Sequence, residues 1–490
     1  MTICKKYVEL FIRLLNKADM SNKYNYLFKN TIFLTIASVG TSLISFLLLP
    51  LYTAALKTSE FGIIEIIDIS AMLMFYVFSL DISDVVGRFS LDDKLNKPQV
   101  LKTGINVLLK SGIIVAFIIA SFCALNVFKW KRIYYLYLFI HYLLYSLGLV
   151  LAQYLRGTDK VKTITVASLV SIIVKSVLAV VFLVLLNFGI DGYFYSLILG
   201  SFALIIVYCT AINDFNPFRI KTDKALEKEM VHYSVPIAVN ALGWWVAQGV
   251  DKYFVSFYNG YSLNGIYSVA FKFPSIITIL CNVFNQAFGM SAVKELDSED
   301  RNEFYYNTYK TLNAVLCISA SVLIITNVFF TKVFFDEAYF TAWKYSSWLI
   351  LSAVFAGFGG YFGGICDALK KNKILAISTV VSAVLNIILD FILIPRYNAY
   401  GAAISTVVSM YIIFIIRYSY VCKKLSIKTN PLGEYLVLFA LLAQVICNGQ
   451  SSHLYFVQGA ILVFITAINF KWIKGLLLNI NSIIKGRKNG

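Results

Sequence analysis

Long apolar runs recur along this sequence and limit its fold more than any other feature. Each is about 20 residues long, enough helix to cross the roughly 30 Å hydrocarbon core of a bilayer, and they follow one another from Thr31 to Trp472. Runs such as 104–124 are continuous rather than alternating, which excludes the pattern of a β-barrel. Because 59% of the residues are hydrophobic and only 14% are charged, a water-soluble core could not absorb the apolar surface. The sequence predicts an all-α polytopic membrane protein.

Proline, glycine and charged residues divide the apolar region into about 14 transmembrane helices, grouped as two six-helix bundles and two additional C-terminal helices. The predicted spans are 31–52, 61–81, 104–124, 133–154, 164–187, 191–211, 231–258, 266–291, 308–330, 343–366, 373–394, 400–420, 431–447 and 454–472. The predicted segments are a cytoplasmic or interfacial N-terminal segment (1–30), the N-terminal bundle (31–211), a cytoplasmic linker (212–230), the C-terminal bundle (231–420), two further helices (431–472) and a basic cytoplasmic tail (473–490).

Two parts of the sequence resemble each other at a separation of about 205 residues. Gly62 opens the second span, and Gly265 opens the eighth span 203 residues later. Gly192 and Gly401, which are 209 residues apart, open the sixth and twelfth spans. Because six spans separate the members of each pair, both members start from the same side of the membrane. We therefore expect two pseudo-symmetric parallel repeats.

The distribution of basic residues predicts the orientation of the spans. The chain carries 43 Lys and Arg against 26 Asp and Glu, a net charge of +17. With the N-terminus inside, 32 of the 43 lie in or beside the inner segments, whereas seven lie in outer loops. Basic residues near short loops stay in the cytoplasm, so both termini are predicted to be cytoplasmic. Lys129, Lys131 and Arg132 form an outer exception. Topology and contact with anionic membrane lipids explain the charge, and we expect no nucleic-acid partner.

Cysteine and histidine give no sign of a metal site or a disulfide framework. The eight cysteines are scattered singly without a CxxC pair, and most lie inside predicted spans. His141, His232 and His453 share no ligand spacing with one another or with a cysteine. We expect free thiols, no metal ion and no cofactor.

Three strings carry a resemblance to a known family: SFLLLPLYTAALKTSEFGI at 45–63, YSVPIAVNALGWWVAQGVDKYFVSFYNGYSLNGIYSVAFKF at 233–273 and LNIILDFILIPRYNAYGAAISTVVS at 385–409. They resemble the polysaccharide transporter family, which includes Wzx-type O-antigen flippases, in the multidrug/oligosaccharidyl-lipid/polysaccharide flippase superfamily. The resemblance implies a fold similar to multidrug and toxin extrusion (MATE) transporters and lipid II flippases, with two bundles around a central cavity that opens alternately to the two sides.

The same resemblance implies a substrate, a location and partners. The substrate class is an undecaprenyl-diphosphate-linked oligosaccharide, such as an O-antigen repeat unit used in lipopolysaccharide biosynthesis. The implied location is the bacterial cytoplasmic (inner) membrane, where the chain is multi-pass. An O-antigen polymerase and a chain-length regulator are candidate partners.

Charged residues within the spans are the candidate substrate-binding residues. A charge at mid-membrane costs about 2.5–3.5 kcal/mol on insertion scales, so it usually faces a wet cavity or a partner. The basic candidates are Arg88, Lys110, Lys175, Lys252 and Lys272. Facing one cavity, they would suit an anionic lipid diphosphate. The alternative for each lysine is an internal ion pair or a side chain that extends to the interface, to which Lys110 and Lys272 are the most vulnerable.

Acidic residues in or near the spans are the candidates for gating or coupling: Asp81, Asp84, Asp251 and Asp390. Adjacent positions on a helix point about 100° apart, so Asp251 and Lys252 cannot simply satisfy one another. A carboxylate released from a cation when the diphosphate binds would link binding to gating, or it could carry a coupling proton. The alternative is a fixed interhelical salt bridge.

Proline and glycine mark candidate hinges at Pro236, Pro274, Gly359 and Gly363. Proline inside a helix removes a backbone hydrogen bond and favours a kink. Glycine permits bending, although tight static packing of neighbouring helices is its commoner role.

The sequence predicts a transporter rather than an enzyme. The nearest approach to a phosphate-binding loop, from Gly104 to Ser111, has Leu109 where the second glycine should be. A membrane prenyltransferase would need two Asp-rich motifs, and a glycosyltransferase would need a large outer loop, neither of which is present. The closer rival is a cation-coupled multidrug exporter on the same fold, but it would attract organic cations with buried carboxylates, and span 31–52 has none. A non-transporting scaffold protein is the least favoured function, because it would give the charged residues within the spans no role.

Overall fold

A computed structural model describes residues 35, 38–212, 220, 223–425, 432–449 and 452–485, and within them the chain is helical throughout. The predicted segment 1–30, residues 213–219, 221 and 222 of the predicted linker 212–230, and residues 486–490 of the predicted tail lie outside the described residues. The helices are α1 Ser38–Ala55, α2 Thr58–Phe78, α3 Ile82–Ser90, α4 Lys97–Ala124, α5 Arg132–Gly157, α6 Val161–Leu185, α7 Gly189–Ala211, α8 Lys224–Ala270, α9 Pro274–Lys294, α10 Arg301–Phe334, α11 Trp343–Ala368, α12 Asn372–Tyr397, α13 Ala399–Leu425, α14 Leu432–Ile446 and α15 Ser452–Lys485.

Eleven helices of the described residues are long and apolar enough to cross a membrane. The bent pair Tyr261–Ala270 and Pro274–Asn285 makes a twelfth span, and α14 is a shorter apolar helix. Within the described residues, each of the 14 predicted spans overlaps a helix, and the eighth overlaps two because of the bend. The prediction of an all-α polytopic protein is confirmed. The seventh predicted span corresponds to the part of α8 before Gly260. This part is helical but is not among the eleven helices that are long and apolar enough to cross a membrane.

Local sequence explains where several helices start and stop. The Asp223 side chain accepts hydrogen bonds from the backbone N–H groups of Ala225 and Leu226, at 2.8 and 3.2 Å, and so caps α8. The second span ends at Phe78 rather than at the predicted position 81. Leu80 and Asp81 have left-handed backbone angles, φ 51° and 48°, which break the helix before α3 begins.

The two halves of the molecule meet at the repeat-related glycines. We call the end that holds Gly62, Gly265 and Asn398 the outer end, following the predicted orientation, and the opposite end the inner end. A Cβ on Gly62 would lie 2.0 Å from the carbonyl oxygen of Tyr261, and a Cβ on Gly265 would lie 1.9 Å from that of Thr58. Only glycine permits this approach, so α2 and α8 touch through their backbones.

Hydrogen bonds between the halves surround this glycine contact. The Asn264 amide donates to the Gly62 carbonyl at 3.0 Å, and the Tyr339 hydroxyl donates to the Leu56 carbonyl at the same distance. The backbone N–H of Asp336 lies 3.4 Å from the Thr53 hydroxyl. The outer end is therefore closed in this structure.

The predicted hinges have different roles in the structure. Pro236 lies inside α8, whose backbone is non-helical only at Gly260, with φ 85°. Pro274 follows a 44° bend and starts α9, so the break lies just before it. A Cβ on Gly359 would meet Ile413 at 2.9 Å, and one on Gly363 would meet Arg417 at 2.7 Å. These last two glycines permit close packing of α11 on α13, which is the alternative role, and the hinge role stays a prediction.

Polar contacts fasten the last two helices to the C-terminal half. Lys310 on α10 forms a buried 2.7 Å ion pair with Glu434 on α14. The Gln444 amide donates to the Ser321 carbonyl at 3.1 Å, and the Asn448 amide donates to the Asn327 side chain at 3.2 Å. The helices α14 and α15 are therefore an extension of one half.

We expect Gly265→Ala to separate the halves at the outer end, because the new methyl group overlaps the Thr58 carbonyl. A disulfide between Thr53→Cys and Asp336→Cys reports the separation, since these positions are adjacent across the closed end. Its yield should fall several-fold in the alanine background. Gly459→Ala is the control, because a Cβ there meets nothing within 4 Å. Equal disulfide yield in the two backgrounds would contradict the glycine contact.

Candidate functional site

A cavity of about 330 Å³ lies between the two halves, on the inner side of the closed glycine contact. We call it the chamber. It takes residues from α1, α2, α6 and α7 of the N-terminal half and from Lys272 and α9 of the C-terminal half. It is lined by Thr41, Ser42, Ser45, Phe46, Leu48, Leu49, Tyr52, Phe61, Glu65, Ile172, Lys175, Tyr193, Lys272 and Ser275.

Lys175 stands in the chamber wall without a fixed acid. It is half-buried on α6, and it forms no ion pair or hydrogen bond within the part of the chain that the structure describes. An ammonium group at membrane depth is stable only where it meets water or an anion. The chamber therefore offers one cation that is free to bind a negatively charged group.

Glu65 forms ion pairs with two further lysines, Lys252 and Lys272. Its carboxylate on α2 accepts from Lys252 Nζ at 2.6 Å and from Lys272 Nζ at 3.2 Å. Lys252 is buried and its ammonium also lies over the Phe271 ring, 5.2 Å from the centroid. Because Glu65 belongs to one half and both lysines to the other, this triad joins the halves. Two positive charges share one negative charge, so the triad has a net charge of +1.

Asp68, one helical turn after Glu65, adds a second carboxylate near the chamber. Its Oδ1 lies 2.9 Å from Nε2 of buried His141, while 52% of its side chain remains exposed. Its charge acts on both Lys175 and Lys252. Three lysines therefore face two carboxylates, and the balance of charge remains positive when His141 is neutral.

Asp251 is satisfied by hydroxyl groups rather than by a cation. Its carboxylate accepts from the Tyr267 hydroxyl at 2.6 Å, the Thr406 hydroxyl at 3.2 Å and the Lys252 backbone N–H at 2.9 Å. This contradicts the alternative of a fixed interhelical salt bridge at this residue, within the described chain. The Lys252 side chain points away to Glu65, in agreement with the expected divergence of the adjacent residues.

Asp390 on α12 lies close to Asp251 inside the C-terminal half. It is fully buried, forms no ion pair among the described residues and shares its surroundings with Asp251 and the Ser405 hydroxyl. The Asn386 side chain, one turn earlier on the same helix, is also buried and has no hydrogen-bond partner in the described structure. The arrangement leaves two buried carboxylates without a cation. We call Asp251, Asp390, Asn386 and Thr406 the polar cluster.

The remaining candidates lie at the inner end, outside the chamber. Lys110 is 65% exposed and pairs with Glu227. Arg88 and Asp84 are both exposed, and Asp84 accepts from the Gln153 amide at 2.5 Å. Asp81 is buried after the end of α2, and burial together with the nearby Asp84 charge raises its pKa to about 6. The five basic candidates do not share one cavity in this structure, because only Lys175 and Lys272 line the chamber and Lys252 reaches it through Glu65. The binding roles of these residues stay predictions.

Sequence reasoning missed Glu65 as a site residue. The sequence could have identified it, because Glu65 is a charged residue within an apolar span. The lysine candidates were chosen for the same property. It also missed buried Arg417, which donates to Ser378, Thr379 and the Gly359 carbonyl at 2.8–3.0 Å. Within the described residues, no group of three His, Cys, Asp or Glu side chains converges as a metal site would require.

Solved structures show which fold this is. The lipid II flippase MurJ in an inward closed conformation is 14% identical, with a TM-score of 0.65, and the match covers 92% of this chain and all of that one. A MATE transporter in complex with MaD3S is 13% identical, with a TM-score of 0.58 and 82% and 96% coverage. A superfamily transporter from Pyrococcus furiosus, described by a reversed polarity of its binding pocket, is 13% identical with a TM-score of 0.58 and 83% and 97% coverage. The predicted MATE-like fold is confirmed.

Sequence comparison gives the family. A search of curated proteins found no significant match. The family described as MatE matches residues 236–392. The family described as polysaccharide biosynthesis protein matches residues 27–288, which is more than half of the chain. The chain therefore belongs to the polysaccharide biosynthesis protein family.

Proposed function

We propose that this protein is a flippase for an undecaprenyl-diphosphate-linked oligosaccharide, such as an O-antigen repeat unit, in the bacterial cytoplasmic membrane. One observation carries the proposal: the chamber between the halves holds an unpaired lysine, Lys175, beside two lysines that share Glu65. A positive excess in a site of low dielectric suits an anionic head group such as a diphosphate. No chemical step is needed for translocation, and the proposed role is transport without catalysis.

The proposed binding step replaces one anion by another. A diphosphate entering the chamber meets Lys175 first and then the partly exposed Lys272. Its charge competes with Glu65 for the ammonium groups of Lys272 and Lys252. Weakening the Glu65 triad removes an attraction between the halves, which would allow the outer glycine contact to open and release the cargo outward.

The polar cluster is the proposed coupling site. Burying a lone carboxylate charge is costly, so Asp390 is most stable when it is protonated or meets a small cation. Asp251 is adjacent in sequence to Lys252, so a change at the cluster can reach the Glu65 triad through one turn of α8. Release of a proton or small cation would thereby link an ion gradient to rocking of the two halves.

Asp68 favours a second candidate function, a cation-coupled multidrug exporter on the same fold. Its half-exposed carboxylate could attract an organic cation. The three lysines near Asp68 make this function less favourable, because an organic cation would be repelled by their excess of positive charge. Surface polysaccharide and drug resistance in the same deletion strain distinguish the two candidates.

We expect Lys175→Ala to lower surface polysaccharide at least about tenfold in cells that lack the chromosomal copy of this gene. A hydrogen bond to a charged group is worth about 1.5–3 kcal/mol, and about 1.4 kcal/mol corresponds to a factor of ten. Lys175→Arg should retain activity because it keeps the charge. Lys110→Ala is the matched control, since that side chain lies outside the chamber.

Protein level in the membrane is measured for every variant, so that a folding defect is separated from a transport defect. Normal polysaccharide with Lys175→Ala at a normal protein level would refute the cationic chamber. Restored drug sensitivity without a change in polysaccharide would favour the exporter.

We expect Asp390→Asn to remove the dependence of transport on an ion gradient. The amide keeps the size of the side chain but carries no negative charge for a proton or cation to neutralise. Transport in proteoliposomes is measured with an imposed proton or sodium gradient. Asp93→Asn is the control, because that side chain is almost fully exposed. If Asp390→Asn responds to both gradients as the wild type does, the coupling role is wrong.

A further inference from the structure

A second cavity lies at the outer end, on the far side of α2 from the chamber. It has a volume of about 730 Å³, within the range of sites that hold small ligands, and we call it the outer groove. Its walls are the loop 127–129 of the N-terminal half, the segment 253–261 of α8 and Phe391 of α12, and Ile66 forms its floor. Seven of its eleven lining residues are aromatic.

The outer groove opens sideways, toward the surface that would face lipid. Phe257, in the seventh predicted span, is 82% exposed, and Phe391, on the membrane-spanning helix α12, is 63% exposed. Large apolar side chains with this exposure are stable in hydrocarbon rather than in water. A ligand that enters between them is therefore apolar along most of its length.

Polar groups lie deeper in the groove and at its outer rim. The Ser256 hydroxyl lines the groove, is buried and has no hydrogen-bond partner in the described structure. At the rim, exposed Lys129 has a left-handed backbone, φ 53°, and forms no ion pair among the described residues. The Tyr261 hydroxyl donates to the adjacent Phe128 carbonyl at 3.1 Å and holds the loop against α8.

The positive charge at this rim departs from the distribution of basic residues in the rest of the chain, most of which are predicted to be cytoplasmic. Lys129, Lys131 and Arg132 are three of the seven outer basic residues, and they form a cluster that departs from the inside preference of lysine and arginine. Lys129 lines the aromatic groove, where its charge complements a ligand with an apolar tail and a strongly anionic head.

We propose that the outer groove binds the prenyl chain of the cargo lipid as it leaves, with the diphosphate held at Lys129. The inference rests on the proposed function, since it takes the cargo to be a prenyl diphosphate. Ile66 in the groove floor follows Glu65 in the chamber wall, so only the thickness of α2 separates the two sites. Opening of the outer end would join them into one path, which favours departing cargo over a static phospholipid.

A diazirine-bearing prenyl diphosphate tests the site on the full-length protein in nanodiscs, with adducts mapped by mass spectrometry. We expect adducts in the segment 253–261 and at Phe391. The double variant Lys129→Ala/Phe257→Ala should lower their yield about tenfold or more. Lys332→Ala/Phe329→Ala is the matched control, because it removes an exposed lysine and a 60% exposed phenylalanine at the outer end of α10. Unlabelled undecaprenyl diphosphate should compete, and phosphatidylglycerol should not.

Three results overturn the inference: adducts spread evenly over the lipid-facing surface, equal loss in the two double variants, or equal competition by phosphatidylglycerol. The proposed function has a separate readout, which is transport by Lys175→Ala. That variant should lose transport while it keeps the groove adducts. Failure of groove labelling with an intact effect of Lys175→Ala would reject the groove alone.

Discussion

One carboxylate, Glu65, sets the electrostatics of this molecule. It stands on a helix of the N-terminal half and binds two lysines of the C-terminal half, so it both joins the halves and neutralises part of their charge. Removing one partner of a buried ion pair leaves an uncompensated charge, whereas exchanging that partner for another anion does not. Under the proposed function, a diphosphate takes the place of Glu65 on the two lysines, and Glu65 gives up both of its cationic partners. This proposed exchange would link cargo binding to movement of the halves.

Much of the fold follows from periodic apolar runs and from the spacing of two glycines. Each predicted span overlaps a helix of the described residues, and eleven helices have the length and composition to cross a bilayer. The repeat predicted Gly62 and Gly265 as counterparts, and the structure brings their backbones together. Breaks inside helices were less predictable. Pro236 lies within a continuous stretch of α8, and the break falls at Gly260, which alone in α8 adopts a positive φ.

The candidate site was only partly predictable, because one-dimensional position does not say which way a side chain faces. Lys175 and Lys272 reach the chamber, whereas Lys110 points outward to Glu227, although Lys110 and Lys272 each lie six residues inside the end of a predicted span. Asp251 and Lys252 were expected to diverge, and they do. Glu65 on α2, which pairs with Lys252, and Thr406 on α13, which donates to Asp251, are distant in sequence, so the sequence does not identify them as partners. In the sequence, the outer basic loop was an exception to the cytoplasmic preference of lysine and arginine. Only the structure shows that Lys129 of this loop lies beside aromatic residues of a groove.

The most direct test is the affinity of undecaprenyl diphosphate for Glu65→Gln, compared with wild type at the same salt concentration. Both proteins carry the Lys129→Ala/Phe257→Ala change, so that the chamber alone is measured. If Glu65 competes with the cargo, the glutamine variant binds the diphosphate more tightly and transports it more slowly, because its lysines no longer have an internal anion to return to. Unchanged or weaker binding would contradict the exchange of anions on which the account depends.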